Sequence, residues 1–92
     1  MGMDITIEYT ESAFRHGESK ESISHAVKTK VYDAPLVAYS NKNVLIGFDT
    51  AGNLLEIMYN PDDDDVYTIK VFHAMKARKS FLAKLDLRSQ MQ

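Results

Sequence analysis

The sequence predicts an α+β fold, an antiparallel meander sheet with helices packed on it, in the order β-α-α-β-β-β-β-α. Three observations predict it. Four apolar, strand-length segments follow one another between Val31 and His73 with only short polar breaks between them. On either side of that block, around Ile23 and around Leu82, apolar residues recur three and four apart, as on a helix face. A chain of 92 residues with 45% hydrophobic content suits one core, so 1–92 is expected to form a single domain, with 5–85 as its core and 86–92 as a frayed tail.

In chain order, Ile5, Ile7 and Tyr9 alternate with Asp4, Thr6 and Glu8, the period of a strand with one buried face. Thr10 can cap a short helix from Glu11 to His16, which Gly17 closes because glycine tolerates a left-handed C-cap. A second helix starts at Ser19 and packs through Ile23, Ala26 and Val27, which leaves His25 nearly opposite Ile23 and facing solvent. The strands that follow span Val31 to Ser40, Asn43 to Thr50, Leu54 to Asn60 and Val66 to His73. Their breaks, Asn41-Lys42, Ala51-Gly52-Asn53 and Pro61-Asp62-Asp63-Asp64, hold turn residues, and connections so short force neighbouring strands antiparallel. The expected core faces of the last three strands are Val44/Ile46/Phe48, Leu55/Ile57/Tyr59 and Tyr67/Ile69/Val71. A closing helix carries Phe81, Leu82 and Leu85 on one stripe.

Composition narrows the function classes. No apolar run approaches the roughly 20 residues of a membrane span, and no segment has the layout of a secretory leader, so a soluble cytoplasmic protein is expected. Cysteine is absent, which removes disulfides, thiolate metal sites and thiol catalysis. The four glycines are scattered at 2, 17, 47 and 52, so no phosphate loop is present. The run Asp62 to Asp65 lacks the spacing of a calcium loop and suits a solvated hairpin tip. His16, His25 and His73 lack metal-ligand spacing, and neither a metal nor a cofactor is expected. The net charge of −2 gives no general support for a nucleic-acid ligand, so such a role needs a local patch.

One patch is available. In VFHAMKARKSF, Val71 to Phe81, alternation places His73 on the side of Tyr67, Ile69 and Val71, at the rim of the core. Arg78 precedes Phe81, Leu82 and Leu85 by three, four and seven residues and so opens the packing stripe of the closing helix, while Lys76 and Lys79 lie off it and reach solvent. A guanidinium in line with an apolar stripe snorkels past the sheet edge, pairs with a carboxylate such as Glu56 or Asp33, or lines a concave site beside His73. An arginine to hold phosphate and a histidine able to exchange a proton near neutrality are the parts of an RNA-cleaving site.

Several stretches together resemble the BrnT toxins of the wider RelE-like group of bacterial ribonuclease toxins. These are Ile7-Glu8-Tyr9, Arg15-His16-Gly17, Ala51-Gly52-Asn53-Leu54-Leu55-Glu56-Ile57-Met58-Tyr59 and Phe72-His73-Ala74-Met75-Lys76-Ala77-Arg78, and the likeness covers Ile5 to Leu85. The resemblance implies a RelE-like fold and the toxin component of a type II toxin–antitoxin module, an RNA-cutting enzyme that needs no metal and is silenced by a bound antitoxin. It implies His16 or His73 as the proton-transfer group and Arg15 and Arg78 on phosphate, with Lys76 and Lys79 contributing positive field toward RNA. The chain departs from the family pattern at Tyr9-Thr10, where many members have Trp or Phe plus Asp, and in its acidic balance. A non-catalytic protein-binding or regulatory module on the same fold is therefore the rival expectation.

Overall fold

The computed structural model describes residues 4–36 and 41–85. They form an α+β structure with a five-stranded mixed sheet and two α-helices: β1 (Thr6–Tyr9), a 3₁₀ turn (Glu11–Phe14), α1 (Lys20–Lys28), β2 (Tyr32–Pro35), β3 (Asn43–Phe48), β4 (Leu54–Pro61), β5 (Thr68–Lys76) and α2 (Lys79–Lys84). The expected tail 86–92 lies outside the described residues, as does the end of the strand expected to reach Ser40. Among the described residues no helix is long and apolar enough to cross a membrane.

The sheet order is β1-β5-β4-β3-β2. β2 to β5 form the antiparallel meander that their short connections require, and β1 adds to the far side of β5 in parallel. The first expected helix is only the 3₁₀ turn Glu11–Phe14. Thr10 makes no side-chain cap there, because its hydroxyl is engaged with Ser12 Oγ at 2.7 Å. Gly17 does follow with φ of +87°, the left-handed conformation expected of it.

α1 forms as its sequence dictates. Ser19 Oγ accepts from the Ser22 backbone N–H at 3.1 Å, and Ile23, Ala26 and Val27 are buried. They meet Leu45, Leu55, Ile57, Tyr59, Ile69, Val71 and Ala74 in one core on a single face of the sheet. The C-terminal end of α1 is tied to β3: His25 Nδ1–H donates to the Phe48 carbonyl at 2.7 Å, and His25 is half-exposed at the helix surface, as expected of the side away from Ile23, but with its ring held to the strand.

The expected β3 face is also corrected. Leu45, cross-strand from Ile57, lies on the α1 side, and Val44 and Ile46 point to the opposite face, yet all three are buried, so β3 is covered on both sides. Phe48 and Tyr67 are exposed and outside the core.

Tyr59 closes the β2–β4 side of the core. Its hydroxyl donates to Asp33 Oδ1 at 2.5 Å and accepts from Asn43 Nδ2 at 3.4 Å. Burial, followed by the bond to Asp33, pushes its pKa up to about 12. Because that value is above the ordinary one of about 10, the associated stability is complete below pH 10 and is lost as pH rises toward 12. Spectrophotometric titration is expected to show one tyrosine ionising about two pH units after an exposed tyrosine, and Tyr59→Phe should remove that late step.

Candidate functional site

A β-bulge creates the site. Across the β4–β5 ladder Met58 pairs with His73 but Tyr59 pairs with Val71, which leaves Phe72 as an extra residue on β5. Val71 and Ala74 both face the α1-side core, so the two residues between them point to the opposite face. The insertion therefore turns His73 away from the core rim where uninterrupted alternation places it, and sets it beside Phe72 on the other side of the sheet.

On that face His73 meets Glu56, which alternates with the core residues Leu55 and Ile57 and lies cross-strand from Ile46 and Met75. Glu56 has 0% exposure. Its carboxylate accepts from His73 Nε2 at 3.0 Å, from the Arg78 backbone N–H at 3.1 Å, from Arg78 Nε at 3.1 Å and from Arg78 Nη2 at 2.7 Å. Burial alone would raise its pKa, but the Arg78 side-chain and backbone bonds and the His73 bond outweigh burial and hold it below the usual glutamate range. The carboxylate is thus ionised and can only accept, so His73 Nε2 carries a proton and Nδ1 is the nitrogen left for exchange with other groups.

Arg78 reaches Glu56 by a different route from the one its spacing suggests. The strand runs on to Lys76, Ala77 N–H continues the ladder to the Leu54 carbonyl at 2.9 Å, and Arg78 is the extended N-cap of α2. The residue is therefore not the first position of a helical stripe. Its convergence with His73 is closed by a two-pronged salt bridge to Glu56, one of the carboxylates that residue types alone allowed as its partner. The guanidinium remains 53% exposed on its outer side and lies 5.6 Å from the Phe81 ring centroid.

His16, carried on the loop after the 3₁₀ turn, stands edge-on to His73 with ring centroids 5.5 Å apart and an interplanar angle of 71°. The turn is fastened to the bulge itself, since Ser12 Oγ donates to the Phe72 carbonyl at 2.7 Å. Of the expected site residues, His73 and Arg78 meet at Glu56, and His16 stands beside His73. Arg15 is adjacent in sequence and exposed. Lys79 is the exposed first residue of α2.

Lys76 requires correction. It ends β5 on the α1 side, cross-strand from Leu55, and its ammonium pairs with Glu18 at 2.8 Å and Asp49 at 3.5 Å. Those bonds, Glu18 foremost, raise its pKa above the ordinary lysine value. It is a tie between the start of α1 and the β3–β4 turn, not a free cation of a solvated helix face.

The aspartate run folds back on itself. Asp62 Oδ1 accepts from the backbone N–H of Asp64 and Asp65 at 2.7 and 3.1 Å, and Asp65 accepts from Tyr67 N–H and Thr68 Oγ1 at 2.9 Å each. Two of the four carboxylates are therefore spent on turn geometry. A surface cavity of about 360 Å³ beside them is lined by Glu8, Asn60 and Lys70 among others and opens on the same face of the sheet as His73, and a second of about 270 Å³ lies between β1 and the end of α1; neither is lined by His16, Glu56, His73 or Arg78. Among the described residues no three His, Asp or Glu side chains converge as metal ligands.

Sequence reasoning missed the shared role of Glu56 and the alignment of Phe72 with His73. The signal for the first is a lone carboxylate inside Leu54-Leu55-Glu56-Ile57-Met58-Tyr59, which an otherwise apolar strand buries only against cations. The second has no local signal. No family model matches the chain, and no curated protein or solved structure matches it.

Proposed function

We propose that the chain is the toxin component of a type II toxin–antitoxin module, a metal-independent endoribonuclease of RelE-like, BrnT-like fold that acts in the cytoplasm and is neutralised by a bound antitoxin protein. The observation that carries this reading is the pair of imidazoles His16 and His73, with His73 held in one orientation by a buried carboxylate. The stretches that resemble BrnT toxins include both histidines and support the same reading.

RNA scission without a metal needs a base to take the ribose 2′-hydroxyl proton as that oxygen attacks the adjacent phosphorus, and an acid to protonate the departing 5′-oxygen. Two neighbouring imidazoles supply both roles when one is neutral and the other protonated. His73 fits proton transfer through Nδ1, because Nε2 is committed to Glu56. His16 is the second exchanging group. The outer edge of Arg78, with Arg15 and Lys79, steadies the charge on the phosphorane. Lys76 has no part in this, since its ammonium is engaged by Glu18 and Asp49.

Purified protein is expected to cleave total RNA in the presence of EDTA, and His73→Ala and His16→Ala each to lower the rate about 100-fold or more while folding normally. Cleavage at the wild-type rate by both variants would remove the pair from the mechanism. One observation favours a second reading, a non-catalytic protein-binding module on the same fold: Arg78 and Lys76 are both neutralised within the chain. That reading predicts no RNA cleavage at any concentration and an intact complex with the partner protein.

A further inference from the structure

The bulge leaves a carbonyl to be satisfied as well as moving His73. Phe72 has no partner across the ladder on β4, and β1 ends at Tyr9, opposite Val71. Successive carbonyls of a regular strand turn to opposite neighbours, yet those of Val71 and Phe72 both reach the β1 side: the first accepts from the Thr10 N–H at 3.0 Å and the second from Ser12 Oγ at 2.7 Å. The single proton of the Ser12 hydroxyl is committed to that carbonyl. In the 2.7 Å contact between the two hydroxyls the donor is therefore Thr10, whose other acceptor, the Val71 carbonyl, is 3.5 Å away. A chain of bonds thus runs from the Thr10 hydroxyl through the Ser12 hydroxyl to the bulge, each polarising the next.

From Ser12 the path to His16 is short and stiff. The Arg15 N–H donates to the Ser12 carbonyl at 3.2 Å and the Gly17 N–H to the Phe14 carbonyl at 3.1 Å, so His16 sits inside a run of tight turns. Ala13, fully buried, and Phe14, 5.3 Å from the Tyr9 ring, hold that run to the α1-side core, while Ser12 bonds to the strand that carries His73. His73 is oriented from the other direction, by Glu56 on β4. The two imidazoles thus belong to separately anchored pieces, and their relative position depends on how the turn is seated on the bulge. We infer that Ser12 is a positioning residue for the histidine pair: its bond to the Phe72 carbonyl seats the turn so that His16 stands edge-on to His73. That this seating matters to a reaction rests on the ribonuclease reading; the seating itself does not.

The test compares wild type, Ser12→Ala and Ser12→Thr, all checked for native circular dichroism, by nuclear magnetic resonance of the free protein. Wild type is expected to show nuclear Overhauser effects between the ring protons of His16 and His73. Ser12→Ala should lose them while His73 keeps its Nε2–H form, because Glu56 is untouched, and Ser12→Thr, which retains the hydroxyl, should restore them. A general loosening of the fold would move both signals together. In RNA cleavage Ser12→Ala is expected to lower kcat about tenfold with KM unchanged, since Ser12 orients the reacting groups and touches no substrate. Ring contacts retained in Ser12→Ala, loss of the His73 Nε2–H form along with them, or no recovery in Ser12→Thr would each overturn the inference. Lost ring contacts with cleavage at the wild-type rate would overturn its bearing on the reaction. A wild-type protein that cuts no RNA would strike the ribonuclease reading alone, and the ring contacts would still decide the role of Ser12.

Discussion

Replacing Glu56 by glutamine is expected to lower folding stability by about 2 kcal/mol at neutral pH and to abolish any activity that depends on His73. Removing one partner of a buried ion pair costs about 3–5 kcal/mol when the other charge is left stranded. Here the estimate is reduced because Arg78 and His73 are partly solvated and can rehydrate. Glutamine keeps the volume, but its amide has one accepting oxygen for four donors and turns an NH₂ toward a guanidinium or an imidazole N–H.

The pH dependence follows from the sign of the shift. Glu56 is held below the ordinary glutamate value of about 4.3, so its contribution is complete above that pH and is lost as pH falls through the folded-state value. Urea midpoints should therefore separate wild type from Glu56→Gln widely near neutrality, and the gap should narrow in acid. A gap independent of pH would mean that the carboxylate charge is not what glutamine removes. Nitrogen chemical shifts of His73 give a second readout: the Nε2–H form in wild type, and loss of that preference in the variant.

How much of this was legible in the sequence depends on whether the cause is local. α1 was legible, because Ser19 as cap and Ile23, Ala26 and Val27 as packing face are set within one segment. The meander was legible because its turns are short. The parallel docking of β1 on β5 was not, since nothing in either strand names its partner. β3 was half legible. Its unbroken run Val44-Leu45-Ile46 is what a strand covered on both faces requires, but alternation alone assigns the core to one set. The bulge was illegible: no glycine or proline marks Phe72, and the extra residue exists only in the register between β4 and β5. That one nonlocal event moves His73 to the opposite face and puts Lys76 on the α1 side. It also explains why His73 and Arg78 were expected to meet on the core side and instead meet around Glu56 on the other.

Among the glycines of the described residues, Gly47 is the one where substitution by alanine is expected to be most damaging. Gly47 lies on the α1 side of β3, where the helix backbone rests directly on the strand: a Cβ built there would fall 1.9 Å from the Ala26 carbonyl oxygen and 2.6 Å from its carbon. Real Cβ atoms do not approach so closely, and the obstacle is main chain, which cannot rotate away as a side chain can. Either α1 lifts from the sheet or β3 retreats, and each opens the core that Ile23, Ala26 and Val27 share with Leu45 and Leu55. Overpacking of side chains costs about 1–3 kcal/mol, and a backbone collision belongs at or above the top of that range, enough to lower the melting temperature of a domain this size by more than about 10 °C. Adding Ala26→Gly is the informative control. It removes only a methyl and leaves the carbonyl in place, so the double variant should stay as unstable as Gly47→Ala or become less stable. Recovery of the wild-type melting temperature in the double variant would show that side-chain crowding, and not the contact of helix backbone with strand, dictates glycine at this position.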